Sequence, residues 1–350
     1  MGARIYLRLM NTLVVNCTGI GDGLIEVPFL AAVGDTVAGF RFFHTGSALF
    51  DDTSLMLSLG LRGYAGTVPA KWRKFHRDDW QAIDAFLVSN EIDSVLNLRH
   101  VGPTYDTNYY RFKARARGTV QFLDFDFESP SSCTQNIRST IEQLLRSHSL
   151  IDTRVDHQYL QRTTSRASLR DRQYIAVNVH AGSPFKRWPL HKWASLCRTL
   201  TSQGHIVGIL AGYTDEEVSV SAELVKSLER DLPHSTFSVP TSTLIEALGY
   251  LADATCAVTA NSWPAHAASG LGIPTVDLHI VTSSVMWGGA PAFSRSLVSR
   301  HLTTCANYDR LLGICKHNYA PCPAMGDDGD GIDVADVLAA IADIADDLDA

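Results

Sequence analysis

The sequence has no run of 18 apolar residues, so it offers no transmembrane helix. It has no excess of positive charge. Thirty Lys and Arg against 37 Asp and Glu leave a formal charge of −7. That balance argues against nonspecific nucleic-acid binding and against anything beyond peripheral contact with an acidic membrane. Cysteine is sparse and odd in number, seven in 350 residues. This suits a reducing cytoplasm with mostly buried thiols, not a disulfide framework. Cys305, Cys315 and Cys322, with His317 among them, match no zinc-site spacing, so no metal is assigned. The opening MGARIYLRLM has neither an apolar signal core with a cleavage site nor the Ser/Thr of a myristoylation signal, and reads as a lead into the first strand. Internal repeats and low-complexity tracts are missing too. What is present is a 45% hydrophobic, 19% charged chain, ordinary for a well-cored protein and long enough for about two domains.

The most informative stretch is Tyr174–Pro189, YIAVNVHAGSPFKRWP. Ile175, Val177 and Val179 alternate as in a buried strand. Small residues and a proline at 181–184 then force a turn that leaves backbone N–H groups free. Lys186 and Arg187 follow, then an amphipathic helix on which Trp193, Leu196, Cys197 and Leu200 share a face. Free amides and an ammonium converging at a helix start suit an anionic ligand, although the P-loop spacing is absent. A second candidate anion site is Ala260–His266, where a strand ends on Ser262 as an expected N-cap, with Pro264 next to it and His266 one turn in. Two such sites in one domain match a diphosphate better than a single carboxylate.

Near the beginning, a strand at Asn11–Cys17 runs into Thr18–Gly23 and an apolar helix. Asp22 sits at that helix start, where a plain capping role is also open to it. The turn does not fit nicotinamide binding, because Leu24 stands where the third glycine belongs. Beyond it the pattern is looser: a strand at Arg41–Thr45, irregular chain over 53–75, a helix at Asp78–Asn90 and strands at Asp93–Leu98 and Val120–Phe127. Arg99 and the tyrosines at 105, 109 and 110 are candidates for the loop side of this domain. After a helix at Cys133–Ser147, the polar stretch 151–172 reads as a connection. From 173 onward, strands and helices alternate to Ile280, and a last helix spans Val334–Leu348. The expected architecture is α/β: two Rossmann-like, doubly wound parallel-sheet domains, 1–150 and 173–332, with the ligand at the strand ends between them. The helix over 333–350 is expected to pack back on the N-terminal domain.

Taken together, these motifs resemble glycosyltransferase family 9, the ADP-heptose heptosyltransferases. HAGSPFKRWP is similar to the family's phosphate-binding strand end, and AGYTDEE to its following acidic loop. TANSWPAHAASGLGIPTVDLH is similar to its DSGPxHxAxxxGxPTV signature, and TGIGDGLIEVP to its N-terminal IGDxxxxxP loop. The likeness is concentrated in residues 11–33 and 173–290. It implies the two-domain GT-B fold and a metal-independent, inverting sugar transfer from an ADP-activated donor, with no cofactor. It also implies roles: Asp22 as catalytic base, with Gly21 and Gly23 beside it on the acceptor side; Arg99 and Tyr105 are acceptor-side candidates on their own residue chemistry, with a solvated loop as the alternative. Ser183, Lys186, Arg187, Asp215 or Glu216, Val239, Asn261, Ser262, Trp263 and His266 would surround the donor.

Two positions depart from the pattern. Asn261 stands where the family has Asp, and Trp263 where it has Gly. Base catalysis and stabilisation of a departing diphosphate are what such a transfer requires. The acidic balance favours a soluble small molecule or protein as acceptor over lipopolysaccharide core. Two alternatives stay open: a sugar-nucleotide epimerase of the same architecture, and a non-catalytic nucleotide-sugar-binding protein.

Overall fold

In a computed structural model, the described residues are 11–15, 19–45, 48–68, 80–98, 107–116, 118–125, 135–164, 173–231, 235–289, 294–302, 305, 308–309, 314–315 and 331–349. The chain forms two compact units, divided between Asp156 and His157.

In the first unit, β1 (Asn11–Val15), β2 (Arg41–Thr45), β3 (Tyr64–Thr67), β4 (Ser94–Asn97) and β5 (Gln121–Leu123) form one parallel sheet in the order β3-β2-β1-β4-β5. The connecting helices are α1 (Ile20–Thr36), α2 (Thr53–Ser58), α3 (Trp80–Ser89), α4 (Thr107–Arg115) and α5 (Ile137–Ser147). Leu13, Val15, Phe43 and Val95 pack with Ile83, Leu87, Tyr109 and Phe112 in one core. Two expectations change here. The region expected to be irregular contains α2 and β3. Tyr109, a candidate for the loop side, is 0% exposed, and its hydroxyl donates to Asp124 Oδ1 at 2.5 Å. It is a core residue with a satisfied phenol, as buried tyrosines need.

The second unit begins with α6 (Tyr159–Thr163), inside the stretch expected to be only a connection; Leu160 is buried there and packs by Gly270. Six parallel strands follow: β6 (Ile175–Asn178), β7 (Val207–Leu210), β8 (Thr236–Val239), β9 (Cys256–Ala260), β10 (Thr275–His279) and β11 (Ser294–Val298). Their order is β11-β10-β9-β6-β7-β8. The helices between them are α7 (Leu190–Ser202), α8 (Asp215–Asp231), α9 (Leu244–Leu251), α10 (Trp263–Leu271) and α11 (Ser284–Trp287). A two-stranded antiparallel hairpin pairs Tyr308–Asp309 with Ile314–Cys315.

The apolar face of this sheet is built from alternate residues. Ile175, Val177, Val258, Val276 and Leu278 pack against Trp193, Leu196, Cys197 and Leu200 of α7. The last helix, α12 (Val334–Asp349), buries Val337, Ala340 and Ile344 in the same core of the second unit. Its entry is pinned: Trp188 Nε1 and Lys192 Nζ both donate to the carbonyl of Ile332, at 2.9 and 3.1 Å.

Each sheet has one switch point, where successive connections leave in opposite directions: β1/β4 in the first unit and β6/β9 in the second. Open parallel sheets bind ligands outside the carboxyl ends of their strands at such points.

Trp193 is fully buried and meets Trp188 edge-on, with centroids 5.0 Å apart at 90°. Trp193→Ala should cost about 3–5 kcal/mol through lost burial and a cavity. Urea unfolding followed by near-UV circular dichroism checks this, and a loss under about 1 kcal/mol would remove Trp193 from the core.

Candidate functional site

The second unit's switch point, at the ends of β6 and β9, collects Ser183, Lys186, Arg187, Asn261, Ser262, Trp263 and His266. Asn178 ends β6, and its Nδ2 donates to His180 O at 2.7 Å, Ser262 Oγ at 3.0 Å and Thr259 Oγ1 at 3.2 Å. One amide thus ties β6 to β9. Ser262 stands at the N-cap position of α10, but its hydroxyl does not cap the helix. It lies within hydrogen-bond distance of the carbonyls of His180 and Ala260, at 3.2 and 3.1 Å. The expectation of a side-chain cap is therefore corrected: the strand-end carbonyls compete for the hydroxyl.

Beyond β6, a 3₁₀ turn at Pro184–Lys186 closes through Lys186 N–H to Ser183 O at 3.0 Å. Ser183, Lys186 and Arg187 are each half-buried. Arg187 donates from Nε to Ala181 O at 3.2 Å and stands 3.5 Å from the Glu216 carboxylate. Glu216 is 75% exposed at its side chain, and Asp215 is exposed as well. The acid that turns inward is instead Glu217, whose Oε2 accepts the N–H groups of Tyr213 and Thr214 at 2.9 and 3.3 Å. Thr214 Oγ1 accepts the Glu217 N–H in return, at 3.2 Å. This reciprocal pair caps α8 and fixes the β7–α8 turn. Thr241 ties the same turn to the β8 end by donating to Gly212 O.

Gly212 has φ +91°, and a Cβ there would fall 2.4 Å from Glu217 Cβ, so glycine is required twice over. Val239, a donor-binding candidate, is 1% exposed and serves the core at the end of β8.

At the end of β9, Asn261 is 3% exposed, and its Nδ2 has no hydrogen-bond partner among the described residues. A buried donor left so costs about 1–3 kcal/mol. Trp263 opens α10 half-buried, its ring 5.6 Å from that of Tyr213 at 53°. His266, one turn in, is buried.

Asn178, His180 and Glu217 were not assigned from sequence. The signal for the first two was a polar residue interrupting an apolar strand. His180 Nε2 lies 2.7 Å from Ser221 Oγ, whose own proton goes to Leu210 O at 2.9 Å, so the imidazole donates from Nε2. Burial holds its pKa below the ordinary histidine value, and the Arg187 charge adds to this while Glu217 opposes it.

In the first unit, Asp22 is half-buried in the first turn of α1, and its Oδ2 accepts the Gly19 N–H at 3.3 Å. A Cβ on Gly19 would lie 2.7 Å from that oxygen. Gly21 and Gly23 flank Asp22 within the helix rather than in a loop. Arg99, Tyr105 and Cys322 lie outside the described residues, as does the side chain of Cys315. Cys305 is half-buried. Among the described residues, no three His, Cys, Asp or Glu side chains group as metal ligands would. Cys197 and Cys256 are buried thiols pushed up to about 12 by desolvation, hence inert.

Two outcomes follow from this geometry. Gly212→Ala should destabilise the second unit by about 1–3 kcal/mol, through a strained φ and the clash with Glu217; a melting curve coincident with the parent protein would contradict it. Because His180 has a depressed pKa when folded, its contribution is present above the unfolded value of about 6.5 and is lost as pH falls below it. Urea midpoints should therefore drop between pH 7.5 and 5.5 by less in His180→Gln than in the parent, and equal drops would contradict the assignment.

Residues 143–311, just under half the chain, match the family model for glycosyltransferase family 9 (heptosyltransferase). No curated protein sequence matches the chain. Among solved structures, the fold is similar to that of the Escherichia coli ADP-heptose lipopolysaccharide heptosyltransferase II, with 16% identity, TM-score 0.64, and 97% of this chain and 100% of that one covered. It is similar to E. coli heptosyltransferase WaaC with ADP, with 16% identity, TM-score 0.59, and 83% and 93% covered. It is also similar to the iron-containing dodecameric glycosyltransferase TibC of enterotoxigenic E. coli, with 13% identity, TM-score 0.52, and 97% and 76% covered. Residues 143–311 therefore carry a glycosyltransferase family 9 (heptosyltransferase) domain.

Proposed function

We propose that this glycosyltransferase transfers a heptose from ADP-heptose to an acceptor hydroxyl or amine. It does so with inversion, without a metal, and in the cytoplasm. The observation that carries the reading is the β6/β9 switch point. There the Ser183–Lys186 turn, the start of α10 and the unpartnered donor of Asn261 lie at the ends of adjacent strands. Helix starts and free N–H donors are the groups that hold a diphosphate. An ammonium and fixed donors would also stabilise the charge that develops on it as it leaves.

In this reading, Lys186 and Ser183 hold the donor phosphates, with the Asn261–His266 segment beside them. Asp22 is the base that takes the acceptor proton as its oxygen or nitrogen attacks the anomeric carbon. Single displacement with such a base inverts that carbon. Arg187 and Glu216 pair with each other at the rim of this turn. Among the described residues no helix is long and apolar enough to cross a membrane. The negative net charge favours a soluble small molecule or protein as acceptor.

The hydrogen bond from Gly19 to Asp22 favours a second reading, in which Asp22 only closes its own helix and the protein binds a nucleotide sugar without turnover.

A thermal-shift panel of ADP-, GDP- and UDP-sugars tests the donor. ADP-heptose should give the largest shift, and Lys186→Ala should abolish it; an equal shift in that variant would remove Lys186 from the site. Asp22→Asn keeps an oxygen for the Gly19 N–H, so it should preserve fold and donor shift while turnover falls about 10²–10⁴-fold. Turnover near that of the parent would make Asp22 a cap. Product analysis with and without acceptor separates transfer from epimerisation, and activity that survives exhaustive chelation supports the metal-free reading.

A further inference from the structure

We infer that Tyr213 and Trp263 form a stacking platform for a nucleobase, and that ring area, rather than a hydrogen-bond pattern on the base edge, sets which nucleotides the second unit accepts. This rests on the nucleotide-sugar reading above and adds residues and a specificity to it.

The topology brings the two rings together. Strands β7 and β9 flank β6 on either side. Tyr213 lies in the turn after β7, and Trp263 opens the helix after β9. Their rings meet across the end of β6, whose own turn carries Ser183 and Lys186. A side chain at the first position of a helix leans back toward the N-terminus. The ring of Trp263 therefore lies beyond the start of α10, while Pro264, Ala265, His266, Ala267, Ala268 and Ser269 are buried along the helix.

Neither ring is spent on the core. Tyr213 is 42% exposed and Trp263 half-buried, whereas Trp188 and Trp193 are buried. A large aromatic surface left in water has a cost that a ligand can relieve. The platform is also held in place before any ligand arrives. Glu217 accepts the N–H groups of residues 213 and 214, Thr241 holds Gly212 O, and Gly212 takes a conformation that forbids a Cβ. Fixing a binding group in advance removes its ordering cost from the binding step. Where the resembling motif has glycine, this chain has a ring at the helix start. Stacking on rings tolerates any base with a π-face and favours the larger purines.

The test is calorimetric titration of the full chain with ADP, GDP, UDP and inorganic pyrophosphate, in the parent protein and in Trp263→Gly, Trp263→Phe and Tyr213→Ala. ADP and GDP should bind within about threefold of each other, and both more tightly than UDP. Trp263→Gly and Tyr213→Ala should weaken ADP and GDP on the order of tenfold while changing pyrophosphate by less than about twofold, and Trp263→Phe should keep most of the affinity. If Trp263→Gly does not fold, as judged by circular dichroism, Tyr213→Ala and Trp263→Phe carry the test. The inference is overturned if the ring variants leave ADP unchanged or bind it more tightly, or if ADP and pyrophosphate weaken together. A parent protein that binds pyrophosphate through Lys186 but gains nothing from the base strikes the platform alone. A parent that binds neither ADP nor pyrophosphate, with Lys186→Ala indistinguishable from it, strikes the nucleotide-sugar reading and the platform with it.

Discussion

The second unit depends on one amide. Where the order of a parallel sheet reverses, the chains leaving two neighbouring strands go to opposite faces, and the ladder, whose last rung here pairs Asn178 with Thr259, does not reach the turns beyond. Asn178 supplies that link. Its two N–H bonds serve three acceptors: the carbonyl of His180 on its own strand end, and the hydroxyls of Thr259 and Ser262 on the neighbouring one. The hydroxyl of Ser262 then turns toward the carbonyls of His180 and Ala260. The start of α10 is thus set relative to the β6 turn by hydrogen bonds inside a buried layer, where each is electrostatically stronger than in water. The first unit has a residue of the same kind at its own switch point. Asn97 ends β4, is fully buried, and lies in register with Val15, the last residue of β1 before the turn to Asp22.

The polar layer around Asn178 continues across the sheet. Asn178, Thr259 and Asp277 are in register on β6, β9 and β10, so they share the face opposite to that covered by α7 and α12. Asp277 and His279 are both 0% exposed and 2.5 Å apart, and His279 Nδ1 reaches Thr282 Oγ1 at 3.0 Å. A buried carboxylate and imidazole are tolerable only as a pair, since either alone would be an uncompensated polar group. One face of the sheet is therefore a hydrocarbon core and the other a polar seam beneath the strand ends. The two differ in what they do: the core supplies stability, and the seam sets geometry.

This division explains how far the sequence could be read. The apolar face was legible because it repeats: β8, β9 and α10 end where the alternation and caps place them, and Trp193, Leu196, Cys197 and Leu200 bury together as their spacing requires. Short elements with weak periods were not. Strand β3 carries a glycine at φ +139° and a register shift on its partner, and β11 alternates in burial with two arginines nearby, so neither looks like a buried strand. The strand-end residues were legible as motifs, but the groups that fix those turns were not. Glu217 looks like its neighbours Asp215 and Glu216 in a run of three acids, and only the turn geometry decides which one reaches back to residues 213 and 214. Ser262 was placed correctly and misread chemically, because a strand-end carbonyl competing for its hydroxyl leaves no trace in the sequence.

The two departures from the family motif belong to one end of one strand and have to be weighed together. Glycine after the strand would let a ligand approach the backbone N–H groups at the helix start; tryptophan places a large ring at that position. Two positions before it, asparagine replaces a negative charge with an amide that carries its own donors. That amide is buried, and its nitrogen is unsatisfied among the described residues. Removing a carboxylate lowers the repulsion an incoming anion would meet there, and the amide adds side-chain N–H groups at the same point. Side by side, they change how an anion would be held at this point while leaving the Asn178 link, and so the fold beneath it, as it was.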